Sequence, residues 1–178
     1  MDDSKFRFIH EMTHSHRRLH RCHAYPFNDG DGLIKAVNKL QPKKVLELGT
    51  ALGYTACCFA SASDCHVDTV EGDATHVELA RENIAKSGFA DKVTVHHGDF
   101  LAVIKNLPND YDIVFFDGLA PSVSMLKIIH AKLRDGGTLI CANLGFAEAG
   151  AEEFLNDKKY FIPKGELEGG GTKLVEKA

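Results

Sequence analysis

From residue 44 onward, short apolar runs alternate with stretches of helical periodicity. "KVLEL" (44–48), "HVDTVE" (66–71), "KVTVHH" (92–97), "YDIVFF" (111–116) and "GTLICA" (137–142) read as five strands. Most are rich in Val, Ile and Leu, as strands buried on both faces are. Between them "YTACCFASA", "ATHVELARENIAKSG", "FLAVIKNL" and "SVSMLKIIHAKLR" read as helices, the second with Asp73 as N-cap and Gly88 past its end. Ahead of the sheet, Leu33, Ala36, Val37 and Leu40 recur at i, i+3, i+4 and i+7, one apolar helix face. The C-terminal "KYFIPKGELEGGGTKLVEKA" reads as two extended runs around the glycines 169–171, an antiparallel hairpin. The pattern predicts one α/β domain. Its sheet is doubly wound, mostly parallel and seven-stranded, with the C-terminal hairpin antiparallel. Residues 1–27 form a short N-terminal helical arm or lid, and 28–178 the core.

Composition narrows the setting. A chain of 178 residues, 44% hydrophobic and 26% charged, is an ordinary single globular domain. No apolar run approaches the ~20 residues that span a bilayer, and the N-terminus has no apolar signal core, so the expected location is cytoplasmic. Five cysteines without a C-x-x-C pair are expected to be reduced thiols. The net charge of −4 makes a nucleic-acid partner unlikely. The charge is uneven, however: residues 1–23 carry five Lys/Arg against three Asp/Glu, with five histidines.

Ligands of open α/β sheets sit beyond the carboxyl ends of the strands. The first strand ends in "ELGTALGYT", where Gly49 and Gly53 permit a tight turn and close approach of a ligand. A P-loop requires G-K-[ST], whereas Gly53 is followed by Tyr54 and Thr55. A G-x-G-x-x-G fingerprint falls on Gly49, Ala51 and Tyr54, a poor fit. What remains is E-x-G-x-x-x-G led by Glu47. Glu71, ending the second strand, is placed for ribose hydroxyls. "GDF" (Gly98, Asp99, Phe100) closes the third strand with a carboxylate for an adenine amino group and a ring for its face. Ribose and adenine without phosphate, on a cation that tolerates carboxylates, describe S-adenosylmethionine.

"VLELGTALGYT" (45–55), "VEGD" (70–73), "VTVHHGDF" (93–100), "YDIVFFDG" (111–118) and "GGTLICAN" (136–143) together resemble the class I S-adenosylmethionine-dependent methyltransferases. Within these the likeness is to the O-methyltransferases of the catechol and caffeoyl-CoA type. It implies the Rossmann-like methyltransferase fold and a cofactor-binding set of Glu47, Gly49, Thr50, Ala51, Gly53, Tyr54, Thr55, Glu71, Gly72, Gly98, Asp99, Phe100 and Asp117. Thr55 and the backbone around Thr50 would hold the methionine carboxylate. The family's Mg²⁺ aspartate falls on Asp117. Its Asp-Asn pair falls on Ala142 and Asn143, and its lysine on Ala120. A divalent metal is therefore doubtful, no catalytic residue is assigned, and Asp117 and Asn143 stand as acceptor-side residues.

The expected activity is O-methylation of a small molecule, without a metal. The alternatives are a degenerate cofactor-binding or interaction protein and a methyltransferase acting on RNA or protein. "FFDGLAPS" lacks the D-P-P-[YF] of amine-directed nucleic-acid methyltransferases. The short segment 144–154 suggests an open acceptor site or one completed by a second subunit, a possible homodimer. One stretch stays apart. "HEMTHSHRRLH" (10–20) opens with H-E-x-x-H, the helical zinc-protease signature. Only nine residues precede it, however, and Arg17 stands where the longer signature needs glycine. The match is expected to be chance, on an arm whose His16, His20 and His23 could cover the cofactor mouth.

Overall fold

The computed structural model describes residues 2–178. A 3₁₀ turn at Asp3–Phe6 leads into α1 (Arg7–His20) and then α2 (Gly30–Leu40). Strand and helix then alternate: β1 (Lys44–Leu48), α3 (Tyr54–Ala62), β2 (His66–Glu71), α4 (Ala74–Lys86), β3 (Val93–His97), α5 (Phe100–Ile104), β4 (Tyr111–Phe116), α6 (Val123–Lys132) and β5 (Leu133–Cys141). A 3₁₀ turn at Leu144–Phe146 precedes α7 (Ala151–Asn156), β6 (Phe161–Leu167) and β7 (Thr172–Lys177). The strands lie in the order β3-β2-β1-β4-β5-β7-β6, with β1 to β5 parallel and β7 antiparallel to both β5 and β6. This is the doubly wound sheet the sequence predicts.

The period-2 alternation of the strands builds two apolar layers. Val45, Val67, Ile113 and Phe115 face α1 to α4, whereas Leu46, Leu48, Val114 and Phe116 face α5 to α7. Phe6 and Ile9 are buried in the first layer against α2 and α3, so the arm is part of the core rather than a loose cover. The apolar face of α2 is turned by about one residue from the expected one. Leu33, Ile34 and Val37 are fully buried, while Leu40 is 42% exposed. Pairing of β5 begins at Leu133, opposite Tyr111. It resumes at Thr138 opposite Ile113, and residues 134–137 bulge out between. The 144–154 segment is more structured than its glycines and alanines suggest. Ala151, Phe154 and Leu155, at i, i+3 and i+4, bury one face of α7 beside α6.

Candidate functional site

Strand order places the carboxyl ends of β3, β2, β1 and β4 side by side, and the order in which strands are added reverses between β1 and β4. That reversal is the topological switch at which such sheets bind ligands. The loop leaving β1 is tied on both sides: Gly49 N–H donates to Val70 O (3.1 Å) and Asp117 N–H to Leu48 O (3.0 Å). Gly49 has φ of +109°, and a Cβ there would stand 2.6 Å from the Asp117 carbonyl oxygen, so only glycine fits. Gly53, at φ +93°, accepts from Cys57 N–H and so opens the first turn of α3.

Glu47 lies beneath this loop, not on its open side. It is fully buried, and its two oxygens accept from the hydroxyls of Thr55 and Thr69. Thr69 is also 2.5 Å from the Thr50 hydroxyl. Burial pushes the Glu47 carboxyl up to about 7. Its structural action is to bolt the first turn of α3 to β1 and β2. The Thr55 hydroxyl is spent on that bond, which leaves the backbone of the Thr50–Gly53 turn facing the open side. Tyr54 also points away: its hydroxyl donates to Asp3 Oδ2 (2.5 Å) and its ring meets His10 edge-on at 5.1 Å. Sequence reasoning missed Thr69. Parallel pairing sets it opposite Glu47, a position that strand register alone could have supplied.

On the open side, Glu71 ends β2 with a mostly buried carboxylate that accepts from Ala51 N–H and Asp73 N–H, both at 2.9 Å. Those two bonds fix its orientation and leave lone pairs for a diol. Gly72, next along, is exposed, and a Cβ there would have no neighbour closer than 4.0 Å, the Gly98 carbonyl. Asp99 caps α5 through Oδ1, which accepts from Leu101 N–H (2.9 Å) and Ala102 N–H (3.2 Å). Its Oδ2 has no protein donor among the described residues. Phe100 is half-buried and leans over Gly118, where a Cβ would stand 2.6 Å from the ring. Glu71, Gly72, Gly98, Asp99, Phe100 and the 49–53 loop thus form one rim with the chemistry for a ribose and a flat amino-bearing base.

At the β4 and β5 ends, Asn143 sits in the left-handed region (φ +61°) and its Nδ2 donates to Asp117 Oδ1 (3.1 Å) and Gly118 O (2.6 Å). Burial, aided by the negative neighbours Glu47 and Glu168, holds the Asp117 carboxyl well above the usual carboxylate range. Two acceptors flank the Asn143 amide, so it presents N–H toward Asp117 rather than an oxygen. Ala142 beside it is buried and offers no ligand. A Mg²⁺ ion seeks near-octahedral oxygen donors. One carboxyl next to a donating amide and an alanine does not fit it.

The H-E-x-x-H stretch takes no peptidase geometry. It lies wholly on α1, with Glu11 exposed and the His10 and His14 rings edge-to-face at 4.9 Å. The helix continues through His20, as expected.

Comparison with known proteins gives the family and the fold. A family model described as a methyltransferase domain matches residues 46–144. The chain is 29% identical to a catechol O-methyltransferase of Niastella koreensis over 122 residues, 65% of this chain and 55% of that protein. It therefore spans about half the length of this curated relative. Among solved structures, an O-methyltransferase from Bacillus cereus in complex with SAH superposes with a TM-score of 0.81 at 18% identity, covering 100% of this chain and 92% of the other. The O-methyltransferase TomG from Streptomyces achromogenes, in complex with SAM, also gives 0.81, at 21% identity and 100% and 91% coverage. Both likenesses show the fold.

Proposed function

We propose that this chain, which belongs to the methyltransferase-domain family by its match over residues 46–144, transfers a methyl group from S-adenosylmethionine to an oxygen of a small molecule without a divalent metal. The observation that carries the reading is the rim: Glu71 held by two backbone amides, Asp99 with an uncommitted oxygen, and the Gly49–Gly53 loop between them. In this reading Glu71 accepts from the two ribose hydroxyls and Asp99 Oδ2 from the adenine amino group, while Phe100 covers the base. The turn amides around Thr50 hold the methionine end. When bound, the cofactor supplies a methyl already activated on a sulfonium. What the protein adds is alignment, worth up to ~7–11 kcal/mol in favourable intramolecular cases.

Metal independence rests on the pairing of Asp117 with Asn143 and on Ala142. Asp117 and Asn143 then line the acceptor side, with Asn143 keeping the Asp117 carboxyl oriented. The acceptor is a small molecule, received beside the loop after β4 and the 3₁₀ turn after β5, whose flanks are joined by Glu148 N–H donating to Pro121 O (3.0 Å).

Calorimetry with S-adenosylmethionine and S-adenosylhomocysteine tests the first step, and both are expected to bind well below millimolar. Incubation with labelled cofactor and a metabolite extract tests the second. Label in small organic-soluble products is the expected result. Label confined to RNA or protein would favour a macromolecular acceptor, and binding without any transfer would favour a degenerate cofactor binder.

A further inference from the structure

Away from the strand ends, the arm and α4 bring together a donor set that the methyl-transfer reading does not use. α1 ends at Arg21, which takes the left-handed conformation (φ +53°) and donates its N–H to Arg17 O (2.8 Å). This turn carries Cys22 back against its own helix. One ligand atom each of His16, Cys22 and His76 then lies within 4.8 Å of the other two. It is the one group of three or more His, Cys, Asp or Glu so placed among the described residues. The contributors come from three places in the chain: the last turns of α1, the second residue past its end, and the first turn of α4.

We infer that His16, Cys22 and His76 form a zinc site that fastens the end of α1 to the start of α4. Two imidazoles and a thiolate are the ligand chemistry of Zn²⁺. Tetrahedral bonds of about 2.0–2.3 Å set ligand atoms roughly 3.5 Å apart, so the cluster closes on the ion by small side-chain rotations. On binding, the Cys22 thiol gives its proton to solvent and the thiolate coordinates. Both imidazoles bind through neutral nitrogens, leaving a fourth position for water.

A second observation supports the site. His76 is buried, and its Nδ1 lies 3.6 Å from Glu71 Oε1. With Nδ1 turned to that carboxylate, Nε2 is assigned to the ion. A carboxylate behind a ligating histidine is the usual arrangement for fixing tautomer and ring orientation. Cys22 also lines an open cavity of about 660 Å³, which gives the ion a path in. Arg17, Arg18 and Arg21 line the same cavity and repel a dication, so affinity rests on the thiolate and on Glu71. The other four cysteines are buried in the apolar layers.

The test uses the full chain without a histidine tag, stripped with EDTA and desalted, with no cofactor added. Zn²⁺ is titrated by calorimetry and Co²⁺ by absorption. The expected result is one ion per chain and a sulfur-to-cobalt charge-transfer band. Cys22→Ser should remove the band and weaken Zn²⁺ by more than the ~10–100-fold that loss of an outer-shell partner costs. A His10→Ala/His14→Ala variant should bind as the parent does. Zn²⁺ should raise the melting temperature of the parent but not of Cys22→Ser. Binding that survives Cys22→Ser, binding lost in the His10/His14 variant, or no binding tighter than millimolar would each overturn the site. None of these readouts depends on methyl transfer.

Discussion

At the scale of single residues, two acidic side chains of similar sequence standing do opposite work. Glu71 is oriented by the amides of Ala51 and Asp73 and faces the rim. Glu71→Ala is expected to weaken S-adenosylmethionine binding by about 2 kcal/mol, the scale for hydrogen bonds to a charged group; calorimetry showing unchanged affinity would move the ribose elsewhere. Glu47 is sealed beneath the loop, with its carboxyl raised from 4.5 to about 7. A carboxyl that holds its proton more tightly folded than unfolded makes ionisation cost stability. That cost is absent below about pH 4.5, grows up to about 7 and is full above it, on the order of 3 kcal/mol. Glu47→Gln keeps an acceptor and gains a donor for the two threonine hydroxyls without a charge. Urea unfolding should therefore show the variant gaining on the parent between pH 5 and pH 8. Parallel curves would mean that Glu47 ionises as readily in the folded as in the unfolded chain, so that burial has not raised its carboxyl. The sequence marked both residues as cofactor-facing because E-x-G and the acid after β2 are local patterns. Which side of a loop a carboxylate occupies depends on Thr69, which comes from another strand.

Among the elements, the parallel strands were legible because each is a short apolar run bounded by polar turns. The predicted ranges for β1, β2 and β4 coincide with the observed ones. The bulged start of β5 and the short α7 were not, since "LRDGG" carries no periodic signal and "AEEFLN" spans less than two helical turns, and they are shaped by Tyr111 and α6. The arm is the larger surprise. Its histidines drew attention as a lid, but Phe6 and Ile9 are what hold it, at 2% and 0% exposure. Ile9→Ala is expected to cost about 2–4 kcal/mol through transfer and cavity terms, read as a lower melting temperature. A loss below ~0.5 kcal/mol would show an arm that merely rests on the core. For the same reason, deleting the arm tests folding before it tests the acceptor site.

For the whole molecule, the two metal questions concern different elements: Asp117 and Asn143 follow β4 and β5, whereas His16, Cys22 and His76 belong to α1, the residues after it and α4. Turnover measured after EDTA treatment, with Mg²⁺ or Zn²⁺ then added back, distinguishes them. Mg²⁺ is expected to change nothing, and restoration by Mg²⁺ would return the chain to metal-assisted chemistry. The family likeness raised the question through Ala142 and Ala120, while the direction in which the Asn143 amide points is a tertiary feature that no local pattern carries. No helix among the described residues is long and apolar enough to cross a membrane. One further trait belongs to the sheet's outer margin. β6 is the last strand, and at Pro163 it supplies no amide, while its register with β7 shifts between Pro163 and Gly165. A strand broken in this way is a poor template for an incoming one. Copies of this protein are therefore discouraged from joining strand to strand along that border.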